Sequence, residues 1–175
     1  MGGNRRERRE QGRREALERA MEPGGDPSAP LAPATRDLFF HDHAELLAGL
    51  GEALDQAGLA EACLALARHL EEDRDHWLRR LARIQADPCL AARRTELDQD
   101  YLGLLAEHFR RWGAAGVQGE RVAELEAGLA LAALRGAERM WVRGQGRPVL
   151  PVLVQEALAV AWPALYAHAR RHPGR

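Results

Sequence analysis

Two segments near the end of the chain carry apolar residues around most of a helical circumference, and that constrains the fold more than any other feature. One reads Ala127-Gly128-Leu129-Ala130-Leu131-Ala132-Ala133-Leu134; the other, residues 149–162, is apolar except for Gln155 and Glu156. A helix of that kind has to be covered on more than one side. The residue usage makes helix the expected state nearly everywhere, because Ala, Leu, Arg and Glu dominate and β-branched residues are scarce. At 175 residues the chain is long enough for one domain with a sizeable core and short for two. Five helices cannot easily cover both segments. Leaving Leu129, Val152, Leu153, Leu158 and Trp162 in water would forfeit roughly 1.5–3 kcal/mol each. Self-association removes that cost, so the expected partner is a second copy. The predicted homodimer interface consists of Leu125, Gly128, Leu129, Ala132, Ala133, Val152, Leu153, Leu158 and Trp162, two helices from each copy making a four-helix face around a two-fold axis.

Before those segments the chain divides into three parts. Residues 1–21 form a basic arm: seven arginines against four glutamates, with the apolar side chains of residues 4–21 only at Ala16, Leu17, Ala20 and Met21. Only that end of the arm can dock on a core. All 25 cationic residues of the chain are arginine, and the arm is positive while the remainder is mildly acidic. Arg5, Arg6, Arg8, Arg9, Arg13 and Arg14 are therefore the candidates for contact with DNA, against the alternative of a solvated helix start. Residues 22–35 hold Pro23, Pro27, Pro30 and Pro33 with Gly24 and Gly25 and read as a linker. Residues 36–175 are the main domain. Within it the spacing predicts helices from Thr35, as N-cap, to Ala57; from Leu59 to Ala86; from Leu90 to Trp112; from Gly119 to Arg143; and from Arg147 to Arg170. The second carries the stripe Leu59, Cys63, Leu66, Leu70, Asp73, Trp77, Leu81, Ile84, in which Asp73 is the one polar interruption.

No run of about 18 apolar residues is free of charge or proline, and no apolar leader follows Met1, so a soluble, cytoplasmic protein is expected, with no membrane partner. Cys63 and Cys89 are the only cysteines and support neither a disulfide framework nor a zinc site. Ser28 is the only serine, and no nucleophile elbow, phosphate loop or dinucleotide fingerprint is present. Glu71 with Glu72 reads as a solvated helix face. The pairs His41 with His43 and His168 with His172 lack further ligands, and the repeated Glu-x-x-His motif of di-iron bundles is missing, so no metal and no cofactor are expected. The set His69, Asp73 and His76 shares one helix face and is the basis of a third-ranked alternative, a metal-dependent helical enzyme. The chain is read as a non-enzyme.

The polar minority on otherwise apolar faces remains: His43, Asp73, Trp77, Tyr101 and His108. Such residues either fix a small molecule between bundle helices or are satisfied core and boundary side chains. With Leu66, Leu70, Leu105, Phe109 and Trp141 they make up the candidate pocket.

Arg36-Asp37-Leu38-Phe39-Phe40-His41-Asp42-His43-Ala44-Glu45-Leu46-Leu47, then Asp87-Pro88-Cys89-Leu90-Ala91-Ala92-Arg93, Leu129 through Trp141, and Gly146-Arg147-Pro148-Val149-Leu150 resemble the ligand-binding and dimerisation half of TetR-type transcriptional regulators, in particular those similar to the mycofactocin regulator. The resemblance covers residues 36–170. It implies an all-α, five-helix bundle that dimerises through its last two helices and senses a small apolar ligand or an acyl thioester in a pocket that includes Trp77, Tyr101, Phe109 and Trp141. Members begin with a basic first helix, which Arg5 to Met21 resembles, and continue into a helix-turn-helix. Here residues 22–34 leave no space for a recognition helix. The expected function is thus a TetR-like regulator reduced to sensing and pairing, with DNA binding lost or weakened. The alternative is an interaction protein that heterodimerises with a full-length relative and blocks its DNA binding.

Overall fold

A computed structural model describes residues 3–21, 31–113 and 115–165. These residues form helices and contain no strand: α1 (Gly3–Ala20), α2 (Pro33–Leu38), α3 (His43–Glu72), α4 (Arg74–Ala86), α5 (Pro88–Trp112), α6 (Val117–Arg143) and α7 (Leu150–Leu165). The expected all-α class is therefore correct. Among the described residues no helix is long and apolar enough to cross a membrane.

The helix expected from Thr35 to Ala57 is two helices. Ala32 occupies the N-cap of α2 with Pro33 in its first turn, and residues 39–42 form a turn before α3. Arg80 of α4 holds that turn. Its Nε donates to the Phe39 carbonyl at 2.8 Å, and its two terminal nitrogens donate to the Asp42 carboxylate at 2.6 Å each. The short helix takes up residues 33–35 of the stretch read as linker, and residues 22–30 lie outside the described residues.

Gly58 does break the helical path, with φ 78° inside α3, a conformation that costs a residue with a Cβ. The expected helix from Leu59 to Ala86 is itself broken, at Asp73 (φ −122°, ψ 55°). The two residues flanking this break both reach the turn between α6 and α7. The Glu71 carboxylate accepts from the Leu150 backbone N–H at 2.6 Å, and the Arg74 guanidinium donates to the Gly146 carbonyl. Glu71 is thus no solvated side chain. It satisfies one of the free N–H groups that open α7. The α3–α4 break and the α6–α7 turn are clasped by one acid and one base.

The break between α4 and α5 is a single residue. Asp87 accepts from the backbone N–H of Cys89 at 2.9 Å and of Leu90 at 3.2 Å, and Pro88 sits at the first helical position, where its missing N–H costs nothing. At the other end Gly116 (φ 92°) precedes α6.

The core lies where α6 packs on α5 and α7, with α3 closing against α7. Leu50, Leu90, Leu105, Trp141, Leu150 and Val154 are fully buried in it. The end of α1 docks as expected, through Leu17 and Met21, both buried. Glu18 between them accepts from His76 Nδ1 at 2.7 Å and from Arg79 at 2.9 Å, and those contacts, His76 first, hold its carboxyl below the usual range.

Gly146 has φ 80°, and a Cβ there would stand 2.4 Å from the Arg74 guanidinium. Gly146→Ala is therefore expected to cost about 1–3 kcal/mol, from backbone strain and the displaced Arg74 hydrogen bond. The urea midpoint of unfolding, measured by far-ultraviolet circular dichroism, checks this.

Candidate functional site

A half-enclosed cleft with a cavity volume of about 60 Å³ lies between the 39–42 turn, α3, α4, α5 and α6. Its walls follow from helical spacing. Leu66 and Leu70 come from α3, and Trp77, Leu81 and Ile84 from the apolar stripe of α4. Leu97 and Tyr101 come from α5, with Phe39, Phe40 and Leu46 at the entry to α3.

The polar part of the lining is made of ion pairs. Arg80, only 2% exposed, is held by Phe39 and Asp42 and lies 4.4 Å above the Trp77 ring. Arg135 of α6 donates to Asp98 Oδ1 at 2.6 Å and to Glu138 Oε1 at 2.7 Å, with its guanidinium 5.0 Å over the Tyr101 ring. Arg94 of α5 donates to the second oxygen of Glu138. Guanidinium is suited to this arrangement because its planar fork meets carboxylates two bonds at a time. The lining thus contains three guanidiniums and three carboxylates, Asp42, Asp98 and Glu138, and is balanced in charge.

Burial alone would raise the Asp42 and Glu138 carboxyls. Hydrogen bonds and charge from Arg80 outweigh it at Asp42, and Arg135 and Arg94 do so at Glu138, so both carboxyls sit below the usual range. Burial lowers Arg94, helped by the neighbouring Arg135 charge. Arg135 is raised despite burial because it faces both Glu138 and Asp98. Burial also pushes the Tyr101 phenol up and keeps it protonated. His43 Nε2 pairs with Asp100 Oδ2 at 2.8 Å, and the His43 ring meets Tyr101 edge to face at 5.3 Å.

Of the predicted pocket residues, His43, Leu66, Leu70, Trp77 and Tyr101 line the cleft together. The other five do not. Asp73 sits at the α3–α4 break, Leu105 and Phe109 point into the core farther along α5, and Trp141 is completely buried in the core. His108 packs edge to face on Phe109 at 5.7 Å, its pKa lowered by burial and by Arg111. Asp42, Arg80, Arg94, Asp98, Arg135 and Glu138 were missed because charged residues on amphipathic helices usually face solvent. A signal was present in the spacing. Arg80 stands three residues after Trp77 and four before Ile84, and Arg94 and Asp98 stand at seven and three residues before Tyr101, all on the faces that carry the apolar wall.

The set His69, Asp73 and His76 does not come together. His69 pairs with Glu72 at 3.5 Å, while His76 turns to Glu18. No group of metal-ligating side chains is found among the described residues; His168 and His172 lie outside them. Of the DNA-contact candidates, Arg13 is exposed, and the side chains of Arg5, Arg6, Arg8, Arg9 and Arg14 lie outside the described ones.

The predicted interface residues divide. Leu125 (74% exposed) and Val152 (40%) face outward with Ala132, and Gly128, Leu129 and Ala133 are half-buried. Leu153 and Leu158 are buried in this chain's own core and are removed from the set, because α7 turns them toward the protein interior. The Trp162 side chain lies outside the described ones. Comparison with family models, with curated proteins and with solved structures finds no match to this chain.

Two measurements check the ion-pair account. Glu138→Ala is expected to destabilise the protein by about 3 kcal/mol, because it strands the Arg94 guanidinium and leaves Arg135 with Asp98 alone; the double variant Arg94→Met with Glu138→Ala should cost less than the two single changes summed. Asp42 and Glu138 have lowered folded pKa values, so the stability they contribute is complete above their ordinary values of 3.8 and 4.5 and is lost as pH falls through the lower folded values. The melting temperature should therefore drop most steeply below about pH 4.

Proposed function

We propose that this chain is the ligand-sensing and dimerising part of a TetR-like transcriptional regulator, binding DNA weakly or not at all. The observation that carries the reading is an apolar strip left uncovered on the two helices that the sequence assigns to pairing. Leu125 (74% exposed) and Met140 (48%) lie on α6, with Val152 (40%) and Val160 (84%) on α7 and Val149 (43%) just before it. Covering these side chains against a second copy would contribute on the order of 5 kcal/mol or more. Small residues between them, Gly128, Ala132 and Gly136, let two copies of α6 approach closely.

The second support is the placement of the cleft. Helix α6 carries Arg135 and Glu138 in the cleft wall and Leu125, Ala132 and Met140 on its outward side. A ligand that shifts the ion pairs therefore acts on the same helix that pairs with the second copy, which is the kind of shared element a sensor needs. The arginines of α1 supply a sequence-indifferent attraction to phosphates and no base reading.

Light scattering should give twice the 19.4 kDa chain mass, and Leu125→Arg combined with Val160→Glu should halve it. A monomer at micromolar concentration for the unaltered protein overturns the pairing. Binding to the DNA upstream of its gene is expected to be weak and to fall steeply between low and moderate salt for any sequence; tight, sequence-specific binding would show that the missing reading helices are not missed.

A further inference from the structure

The sensing reading leaves the ligand as either a small apolar molecule or an acyl thioester, and the electrostatics of the cleft separate the two. We infer that the cleft takes a neutral apolar molecule bearing one hydroxyl or carbonyl oxygen, held by Tyr101 and His43, and rejects anionic head groups; the inference rests on the sensing role proposed above.

The first observation is that every guanidinium in the cleft is paired with a carboxylate of the lining. Arg80 is engaged by the Phe39 carbonyl and both oxygens of Asp42, Arg135 by Asp98 and Glu138, and Arg94 by Glu138. A carboxylate or phosphate entering the cleft meets three cations already matched by three anions. It has to displace a protein carboxylate, leaving that group buried and unpaired, or lie beside it against like charge. A cation meets the mirror-image problem. The site therefore discriminates against charge of either sign, although arginine in a pocket wall ordinarily suggests an anion site.

The second observation is one polar atom that the protein leaves unused. Tyr101 is 5% exposed as a residue, packed under Arg135 and against His43 in the cleft lining, and its hydroxyl makes no hydrogen bond to any described residue. Its burial keeps it protonated and thus a donor. His43 lies at the cleft beside it. Its Nε2 is taken by Asp100, and no described residue bonds its other ring nitrogen. With a proton on Nε2 donated to Asp100, that second nitrogen offers a lone pair. One donor and one acceptor on neighbouring residues of the lining match an alcohol, and the donor alone matches a ketone. The remaining wall, including Leu46, Leu66, Leu70, Leu81 and Leu97, is aliphatic and suits an alkyl or alicyclic body.

The test uses the full chain and two probes that differ only in the head group, decan-1-ol and decanoate, titrated calorimetrically at pH 7.5 below their aggregation limits. Decan-1-ol is expected to bind at least tenfold more tightly. Tyr101→Phe should weaken decan-1-ol by about threefold to tenfold, the worth of one hydrogen bond, and leave decanoate unchanged. Asp98→Asn, which keeps an acceptor oxygen for Arg135 but removes one negative charge and leaves the lining net positive, should move the preference toward decanoate by about tenfold. Decanoate binding as tightly as decan-1-ol to the unaltered protein, or Tyr101→Phe without effect on decan-1-ol in a protein that melts normally, overturns the inference while the sensing role stands. If neither probe binds, the sensing role itself falls and the inference with it.

Discussion

Arginine paired with carboxylate, out of water and two bonds at a time, is the interaction on which the arrangement of the helices depends. The chain contains no lysine. Arg80 joins α4 to the turn ahead of α3, and Arg94 and Arg135 meet across α5 and α6 through Glu138. A flexible ammonium cannot replace the forks of Arg80 and Arg135, because each of these guanidiniums bridges two acceptor groups in one plane. Such pairs add little net stability compared with a well-packed apolar contact. What they impose is register, since a helix that slid or rotated would strand a buried charge.

A second polar device acts at the opposite end of α4. Glu71 and Arg74 flank the break at Asp73 and clasp the turn that leads into α7. The hairpin of α6 and α7 is thereby oriented by α3 and α4 on one side and by the Arg94–Glu138–Arg135 network on the other. Its outward apolar strip and the cleft wall are two faces of one rigid element, and under the proposed function that shared helix is what connects ligand to pairing.

Helical class, the docking of α1 through Leu17 and Met21, the break at Gly58, and the assignment of Leu66, Leu70, Trp77 and Tyr101 to one wall were all legible from spacing, since burial at every third or fourth residue is a local property of a helix. Trp141 and Leu105 belong to the same stripes but face another neighbour. A periodic pattern states that a face is buried and not what buries it. The same ambiguity put Leu153 and Leu158 on an intermolecular face when the chain's own core covers them.

By itself, then, the sequence determined the helical class, which faces are apolar and which two helices have more apolar surface than one chain readily covers. Tertiary structure alone decided the chemistry of the cleft. Whether an arginine on an amphipathic helix reaches water or a carboxylate on another helix depends on contacts between residues as distant as Arg94 and Glu138, or Glu71 and Leu150. Local propensity carries no information about such partners, because a charged side chain has the same helical preference whether its counter-charge is protein or solvent.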